Sequence, residues 1–357
     1  MMSETGTVQG ISIAVAGAPA IAGLTFRGFR GESDYPAMAE VLRLAREADA
    51  LDGVESAEDI ARQYRYLSNC DPYRDMLFAE VNGQVIGYGR AWWLQFDDGT
   101  RAYMHFAQVI PAWREAGIRR AMLRYNERHL REIAAAQEAA APVQMFECWA
   151  NTTEEDWTAL LQAEGYQPVR HGYSMVRSNL EDLPQVPLPP GLEVRPVQPD
   201  QIETIWRAAQ EAFRDHWGYN DEEWDLKHLR EWQEMPTFTP ELWQVAWEGE
   251  QVAGMVLNFI DAQENAAQGR LRGYTETICV RRPWRRRGLA RVLIARSFEV
   301  LKAQGMTEAA LGVDAENPNG ARQLYESLGF VTVRDFVTYR KPLREGPPGL
   351  PPGKEEG

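Results

Sequence analysis

The feature that most constrains the fold is an internal repeat, because two long segments of the chain carry the same patterns in the same order. Glycines mark matching turns in the two segments, namely Gly87 with Gly254, Gly117 with Gly288, and Gly165 with Gly329. The members of these pairs lie 167, 171 and 164 residues apart. A separation that stays nearly constant over half of the chain indicates duplication of a unit of roughly 150 residues.

A proline-rich stretch, "EDLPQVPLPPG" at residues 181–191, separates the two copies and has the composition of an extended linker. The sequence therefore predicts one domain over residues 24–180 and a second over residues 192–343. Residues 1–23 are predicted to be an N-terminal extension, and the Pro- and Gly-rich residues 344–357 are predicted to be a disordered tail.

Each copy predicts the order β-α-α-β-β-β-α-β-α-β. "LTFRGF" and "LEVRPV" open the copies as short strands, and "LFAEVNGQVIGYGRAWW" and "WQVAWEGEQVAGMVLNFI" each predict two strands joined by a turn. Strands that alternate with helices around such a hairpin predict an α/β (α+β mixed sheet) fold with helices on the faces of the sheet.

Composition argues against several classes of function. The chain has 52 acidic and 38 basic residues, and a net charge of -14 argues against a nucleic-acid partner. No apolar run reaches the length of a membrane span, which predicts no membrane partner and a cytoplasmic protein. Three scattered cysteines are typical of a reduced cytosolic chain, and five histidines without metal-ligand spacing predict no metal site.

The second copy carries "RRPWRRRGLA" at residues 281–290, between a predicted strand, "YTETICV", and a predicted helix. The first N–H groups of a helix lack intrahelical partners and lie at the positive end of its dipole, so this junction suits a phosphate. Gly288 and Ala290 are small enough to let an anion approach the backbone. By itself the pattern also fits a solvated basic turn or a nuclear-localisation or nucleic-acid-binding patch.

A second motif, "ENPNGARQLYESLGF" at residues 316–330, follows the next predicted strand. Asn317 is a suitable N-cap, and Pro318 is suited to the first helical position. Helical spacing places Tyr325 on the buried stripe, where its hydroxyl would need a partner if the residue were ordinary core.

Together the two motifs resemble those of the GNAT superfamily of acetyl-CoA-dependent N-acetyltransferases. The first is similar to the pyrophosphate-binding pattern Q/R-x-x-G-x-G/A, and the second to the family helix that ends in Tyr and Gly-Phe. The resemblance covers residues 192 to about 341, and the doubled layout is similar to that of tandem GNAT proteins such as the mycothiol synthases. It implies two tandem GNAT acyl-CoA N-acyltransferase domains and acetyl-CoA (coenzyme A) as the cofactor.

The resemblance also implies which residues hold coenzyme A. The backbone of Ile278, Cys279 and Val280 would pair with the pantetheine arm, and Asn317 would contact the cofactor near its thioester. The pyrophosphate would be held by the loop and first helical turn, which comprise Arg285, Arg286, Arg287, Gly288, Leu289 and Ala290.

Two catalytic residues follow from the same resemblance. Tyr325 matches the tyrosine that protonates the departing thiolate, and Glu276 is a general base, acting directly or through water. Strand alternation predicts that Glu276 shares a face with Ile278 and Val280, and that the Cys279 thiol is turned away, buried and inert. The alternative for Glu276 is a structural carboxylate that pairs with an arginine.

The acceptor is predicted to be a small-molecule amine. In the family its site is built largely from the first two helices, here residues 211–236, which are rich in tryptophan and in carboxylates. An amino-sugar, an aminoglycoside, a polyamine, a peptide N-terminus and a mycothiol precursor all fit, and the chain is predicted to be a monomer or a homodimer.

The first copy retains the patterns that predict its strands and helices, but it lacks the residues that the second copy has at the phosphate loop and at the position of the tyrosine. "WREAGIR" places Arg119 where the second copy has Ala290, and Leu161 lies where the second copy has Tyr325. Residues 24–180 are therefore predicted to form a degenerate, non-catalytic GNAT domain that serves as scaffold, as interface or as part of the acceptor pocket, whether or not it still holds coenzyme A.

The predicted function is N-acetyl transfer from acetyl-CoA to a primary amine, by direct attack in a ternary complex at the C-terminal domain. The alternatives are a non-enzymatic acyl-CoA-binding or sensing protein and a catalytically idle interaction protein.

Overall fold

The computed structural model describes residues 12–137, 141–317 and 320–344. The strands are β1 (Leu24–Arg27), β2 (Met76–Val81), β3 (Gln84–Gln95), β4 (Thr100–Val109), β5 (Val143–Asn151), β6 (Gln167–Arg177), β7 (Glu193–Val194), β8 (Gln244–Glu248), β9 (Gln251–Phe259), β10 (Arg272–Val280), β11 (Glu308–Asp314) and β12 (Val331–Pro342).

The helices are α1 (Tyr35–Ala48), α2 (Ala57–Tyr64), α3 (Pro72–Asp75), α4 (Ile118–Ala136), α5 (Glu155–Ala163), α6 (Ile202–Phe213), α7 (Leu226–Gln233), α8 (Ala262–Gln268), α9 (Leu289–Ala303) and α10 (Ala321–Ser327). The predicted order of elements is confirmed in both copies, with the short helices α3 and α8 added. Every helix among the described residues is too short or too polar to cross a membrane.

All twelve strands of the described chain form one mixed sheet, in the order β1-β2-β3-β4-β5-β12-β6-β11-β10-β9-β8-β7. Helices α1, α2, α6 and α7 pack on one face, and α4, α5, α9 and α10 pack on the other. The predicted α/β mixed sheet is therefore confirmed. We call the side of α6 and α7 the acceptor face, after the role that the sequence predicts for that region.

The two copies exchange their last strands. β12 from the second copy lies between β5 and β6 of the first, and β6 pairs in turn with β11 of the second. This arrangement differs from two self-contained domains at residues 24–180 and 192–343, because each copy completes the sheet of the other. Residues 1–11 and most of the predicted tail, residues 345–357, lie outside the described residues.

The burial of α9 shows how the sequence positions the phosphate loop. Leu289, Leu293, Phe298 and Leu301 recur at helical spacing and are all buried against the sheet. Because this apolar stripe begins at the first residue of the helix, packing fixes the start of α9 directly beside the end of β10.

Candidate active site

The site begins at a gap between two neighbouring strands. β10 and β11 pair in parallel only at residues 272–274, after which they diverge. Arg281 donates its N–H to the carbonyl of Ala253 on β9. Because backbone groups alternate in direction along a strand, those of Ile278 and Val280 point into the gap, away from β9. A ligand with amide groups can therefore add to this edge of the strand.

A β-bulge lies in β10 beside the gap. Glu276 lies opposite Leu257 and Cys279 lies opposite Met255, so two residues of β10 intervene where β9 has one. Thr277 in the bulge has a φ of 48°. This left-handed conformation is strained for a β-branched residue, and such strain often marks a functional site.

The bulge reverses part of the predicted alternation. Glu276 and Cys279 both face α6 and α7, whereas Ile278 and Val280 pack against the apolar cluster that contains α9. The prediction that Glu276 shares a face with Ile278 and Val280 is therefore wrong, because one extra residue shifts the phase of the strand. The prediction that Cys279 is turned away from Glu276 is also wrong, because the two share a face, but the Cys279 thiol is buried as predicted. Burial raises the pKa of this thiol to about 12.

Glu276 reaches across the gap to the other strand. Its Oε1 accepts a hydrogen bond of 3.0 Å from the N–H of Gly312 on β11. Burial raises the pKa of the Glu276 carboxyl to about 7, against the opposing effect of the Gly312 N–H. No other described residue forms an ion pair with this carboxylate, so it differs from a structural carboxylate paired with arginine.

The loop after β10 ends in an anion-binding arrangement. Gly288 has a φ of 79° and caps α9 without a side chain. The first hydrogen bond of the helix runs from Val292 N to Gly288 O, so the N–H groups of Leu289, Ala290 and Arg291 have no intrahelical partner. Nothing lies within 4 Å of the position of a Cβ on Gly288, so the approach to these donors is open.

Arg285 serves the fold through its side chain. Its guanidinium binds the carbonyls of Val280 and Ala212 and the carboxylate of Asp215, at 2.9, 3.2 and 2.9 Å. In the first copy Arg114 binds Val109 O, Ala45 O and Asp49 in the same way. The arginine common to the two copies is thus a structural buttress.

The other arginines of the loop differ in their availability. Arg287 donates to the carbonyl of Pro190 and does not line the cleft. Arg286 lines the cleft and forms no ion pair with another described residue. Arg291, in the first turn of α9, lines the cleft as well and donates to Ser327.

The second motif brings Tyr325 to the same cleft. Tyr325 is buried on α10, and no described residue forms a hydrogen bond with its hydroxyl. Burial raises its pKa, and the negative charge of Glu276 raises it further. Asn317 lines the cleft but is not an N-cap, because α10 begins at Ala321 after Gly320. Pro318 lies outside the described residues.

These features surround one cleft of about 800 Å³. It is lined by the predicted residues Glu276, Ile278, Cys279, Val280, Arg285, Arg286, Gly288, Leu289, Ala290, Asn317 and Tyr325. His216, Trp217 and Trp224, from the predicted acceptor region, also line it. Trp232 packs instead against the ring of Trp243.

Sequence reasoning missed one wall of the cleft. Arg170 and Gly172 on β6, and Phe336 and Thr338 on β12, line it on the acceptor face. No motif marks these residues, and Arg170 and Gly172 reach the cleft because β6 of the first copy pairs with β11 of the second. The repeat was the available signal, since it showed that β6 and β12 are equivalent strands.

The corresponding gap of the first copy is filled by its own side chains. Arg119, the counterpart of Ala290, is only 2% exposed. Its Nε donates to Ala107 O at 2.7 Å, and Nη1 donates to Asp156 at 2.9 Å. Its guanidinium also stacks on Trp157, 4.3 Å from the ring centre. This side chain occupies the place where the second copy leaves an opening.

The first copy also lacks the bulge. β4 pairs with β3 in unbroken register, and Arg90 of β3 lies opposite Phe106. Arg90 matches Leu257, which in the second copy lies opposite Glu276. The ring of Phe106 therefore takes the position that the Glu276 carboxylate has in the second copy. Leu161, which is fully buried, takes the position of Tyr325.

Comparison with known proteins identifies the family. The family model described as "Acetyltransferase (GNAT) family" matches residues 38–146 and 203–330. The mycothiol acetyltransferase of Thermomonospora curvata is 31% identical over 322 residues, which cover 86% of this chain and 94% of that protein.

Solved structures show the same fold. The GCN5-related N-acetyltransferase from Sphaerobacter thermophilus has a TM-score of 0.68 at 25% identity and covers 90% of this chain and 96% of its own. A tandem GNAT protein from the clavulanic acid biosynthesis pathway has a TM-score of 0.63 at 14% identity, with coverage of 91% and 100%. The second likeness supports the tandem fold alone.

Proposed function

The chain belongs to the acetyltransferase (GNAT) family, and on that basis we propose that it acetylates a primary amine of a small molecule in the cleft of its second copy. The observation that carries the proposal is that Glu276, Tyr325 and the open start of α9 line one cleft, whereas the first copy has lost all three features. The enzyme is accordingly an acyltransferase with one proposed working site.

The residues of the cleft fit coenzyme A. The backbone of Ile278 and Val280 offers groups for the amides of the pantetheine arm, and the N–H groups at the start of α9 offer donors for the pyrophosphate. Arg286 and Arg291 add positive charge beside those donors. When bound, acetyl-CoA supplies the acetyl group as a thioester.

Glu276 is the proposed general base. A carboxyl whose pKa is about 7 is half ionised near neutral pH and can still accept a proton from an ammonium or from an intervening water. The Gly312 N–H fixes one carboxylate oxygen and leaves the other for the acceptor. Since the bulge turns Glu276 to the acceptor face, the base lies on the side where the amine would enter.

Tyr325 is the proposed general acid. Its raised pKa keeps the hydroxyl protonated at neutral pH, ready to donate to a thiolate. The charge of Glu276 is one cause of that raised pKa, so protonation of Glu276 removes it and makes Tyr325 the stronger acid. Uptake of the proton of the amine thereby favours donation to the leaving sulfur.

Direct transfer is favoured over a covalent acyl-enzyme. Cys279 is the cysteine that lines the cleft, and burial raises the pKa of its thiol to about 12, which keeps it in the poorly nucleophilic protonated form. Holding the amine and the thioester together then supplies much of the rate enhancement by positioning.

The first copy is proposed to be non-catalytic. Its gap is closed by Arg119, and it presents Phe106 and Leu161 in place of the base and the acid. Through β6 it still contributes a wall of the cleft in the second copy. The cytoplasmic location and the monomeric or dimeric state stay predictions from the sequence.

The test is release of coenzyme A thiol from acetyl-CoA with a panel of amines, comparing the wild type with Glu276→Gln and Tyr325→Phe. The panel includes a mycothiol precursor, because the relative from Thermomonospora curvata is named a mycothiol acetyltransferase. Turnover that depends on both residues supports the proposal. Tight binding of acetyl-CoA without turnover on any amine would instead favour an acyl-CoA-binding or sensing protein.

A further inference from the structure

Large aromatic side chains remain exposed beside the candidate base. Trp217 is 38% exposed and Phe336 is 37% exposed, and both line the cleft. Trp149 is 62% exposed and lies directly opposite Thr338, which also lines the cleft. Trp217 and Phe336 therefore present apolar ring surface to the cleft, and exposed apolar surface of this kind is typical of ligand-binding grooves.

The strand register places these rings on the same face as Glu276. Phe336 lies opposite Gly172, and Gly172 lies opposite Asp314 on β11. Gly312, two residues before Asp314 on the same face of β11, donates its N–H to Glu276. The ring of Phe336 and the carboxylate of the base therefore line one side of the sheet.

Phe336 lies flat on the sheet because its neighbour has no side chain. A Cβ on Gly172 would lie 2.1 Å from Cζ of the Phe336 ring. Any larger residue at Gly172 would push the ring off the sheet and into the cleft. A residue of the first copy thus sets the floor of the cleft in the second.

Trp217 lies on the loop after α6, and its ring packs against two arginine side chains, one from β6 and one from β12. The guanidinium of Arg340 lies 4.5 Å from its ring centre, and that of Arg170 lies 5.4 Å away. Arg170 is itself fixed by Asp314, with contacts of 2.9 and 2.6 Å, and Arg340 is fixed by Glu147 at 2.6 Å. The ring is thus pre-positioned, and the charges that hold it are already matched by carboxylates.

We propose that Trp217 and Phe336, which we call the aromatic platform, determine acceptor specificity by binding a primary amine whose molecule also contains a ring with an apolar face. The ring is aryl or a saturated, sugar-type ring, since either presents a flat apolar surface to an aromatic side chain. This inference rests on the proposed function, because it concerns the acceptor of that same cleft.

The experiment measures kcat/KM of the full-length chain with acetyl-CoA and three amines, namely phenylethylamine, glucosamine and butylamine. The wild type is expected to favour one of the two ring amines, and which one is favoured identifies the type of ring. In Phe336→Ala and Trp217→Ala, the ratio of kcat/KM for the favoured ring amine to that for butylamine is expected to fall about tenfold. The KM for acetyl-CoA is expected to stay near its wild-type value.

Matched variants separate this effect from misfolding. Val333→Ala removes another exposed apolar side chain of β12 that does not line the cleft, and it is expected to leave the ratio unchanged. Gly172→Ala is expected to lower the ratio by displacing the ring of Phe336, while Phe336→Leu retains bulk without a flat face and is expected to lower it less than Phe336→Ala.

A ratio that does not change in Phe336→Ala and Trp217→Ala would overturn the aromatic platform and leave the proposed acetyl transfer standing. If neither these three amines nor any amine of the wider panel is acetylated, the proposed function fails, and the platform is then tested by saturation-transfer NMR with phenylethylamine, glucosamine and butylamine. Binding of the ring amines to the wild type and its loss in Phe336→Ala would support the platform. Equal binding to both proteins would overturn it.

Discussion

Thr277 decides the direction in which the proposed base points. The family resemblance identified Glu276 as a candidate base, but strand alternation assigned it to the wrong face, because the repeat of two in a strand gives no sign of an inserted residue. The first copy, whose β4 has no bulge, shows the regular alternative, in which an aromatic ring takes the place of the carboxylate. The sequence therefore indicated that Glu276 lies at the cleft, but it did not indicate the direction of the Glu276 side chain.

Replacing Glu276 with glutamine tests its role as base. We expect kcat/KM of the wild type to rise as the pH increases through about 7, the pKa of the carboxyl, because only the ionised form accepts a proton. Glu276→Gln is expected to lower kcat by about 10²–10⁴-fold and to abolish this rise. Glu299→Gln, an exposed change on α9, is the control, and an unchanged pH profile in Glu276→Gln would contradict the assignment.

Although Glu276→Gln is expected to lower activity, it is expected to raise the free energy of unfolding at neutral pH. Burial raises the pKa of Glu276 to about 7, so the folded chain binds this proton more tightly than the unfolded chain, and the stability from protonation is lost as the pH rises through about 7. Glu276→Gln is therefore expected to match the wild type near pH 4.5 and to exceed its free energy of unfolding by a growing amount up to about pH 7, with a constant difference above. Urea unfolding at several pH values measures this, and a less stable variant at pH 8 would count against a half-buried carboxylate that forms no ion pair within the described chain.

Among the elements, the junction of β10 and α9 has an arginine contact that both copies share and an open helix start that only the second copy has. Arg114 and Arg285 make equivalent contacts, which explains why the arginine and the following glycine recur in both copies. The sequence predicted the junction and its open helix start, because spacing and small residues are visible in a motif. It did not reveal that the Arg285 side chain is engaged, because Asp215 and Ala212 meet it only in the folded chain.

Because Arg285 is engaged within the fold and Arg286 faces the cleft, we expect their substitution to affect stability and cofactor binding, respectively. Arg285→Gln and Arg114→Gln are each expected to lower the free energy of unfolding by about 1.5–3 kcal/mol, since each breaks several charge-assisted hydrogen bonds. Arg286→Gln is expected to leave unfolding nearly unchanged and to raise the KM for acetyl-CoA. Thermal unfolding and steady-state kinetics distinguish them, and an Arg285→Gln protein of wild-type stability with a raised KM would show that Arg285 is chiefly a phosphate ligand.

At the scale of the whole molecule, duplication was predictable and strand exchange was not. β6 and β12 follow equivalent helices and end equivalent copies, so nothing in either sequence shows whether a strand completes its own sheet or that of its neighbour. The exchange brings Arg170 and Gly172 of the first copy into the cleft of the second.

Strand exchange predicts that the halves depend on each other. A protein of residues 192–357 lacks β6 and with it one wall of the cleft, so we expect it to have a much higher KM for the acceptor amine than the full chain, or to be insoluble. Co-expression with residues 1–191 is expected to restore both folding and activity, as measured by co-purification and acetylation rate. Wild-type kinetics from residues 192–357 alone would contradict the exchanged arrangement.

We propose that the chain has one acetyl-CoA site, in the cleft of its second copy. Calorimetric titration of the full-length protein with acetyl-CoA tests it most directly, with Ala290→Arg as the variant, because that change reproduces in the second copy the arginine that fills the gap of the first. We expect one molecule of acetyl-CoA to bind per wild-type chain. We expect none to bind to Ala290→Arg, whose unfolding midpoint should stay near that of the wild type. Two molecules per chain, or binding that survives Ala290→Arg, would contradict it.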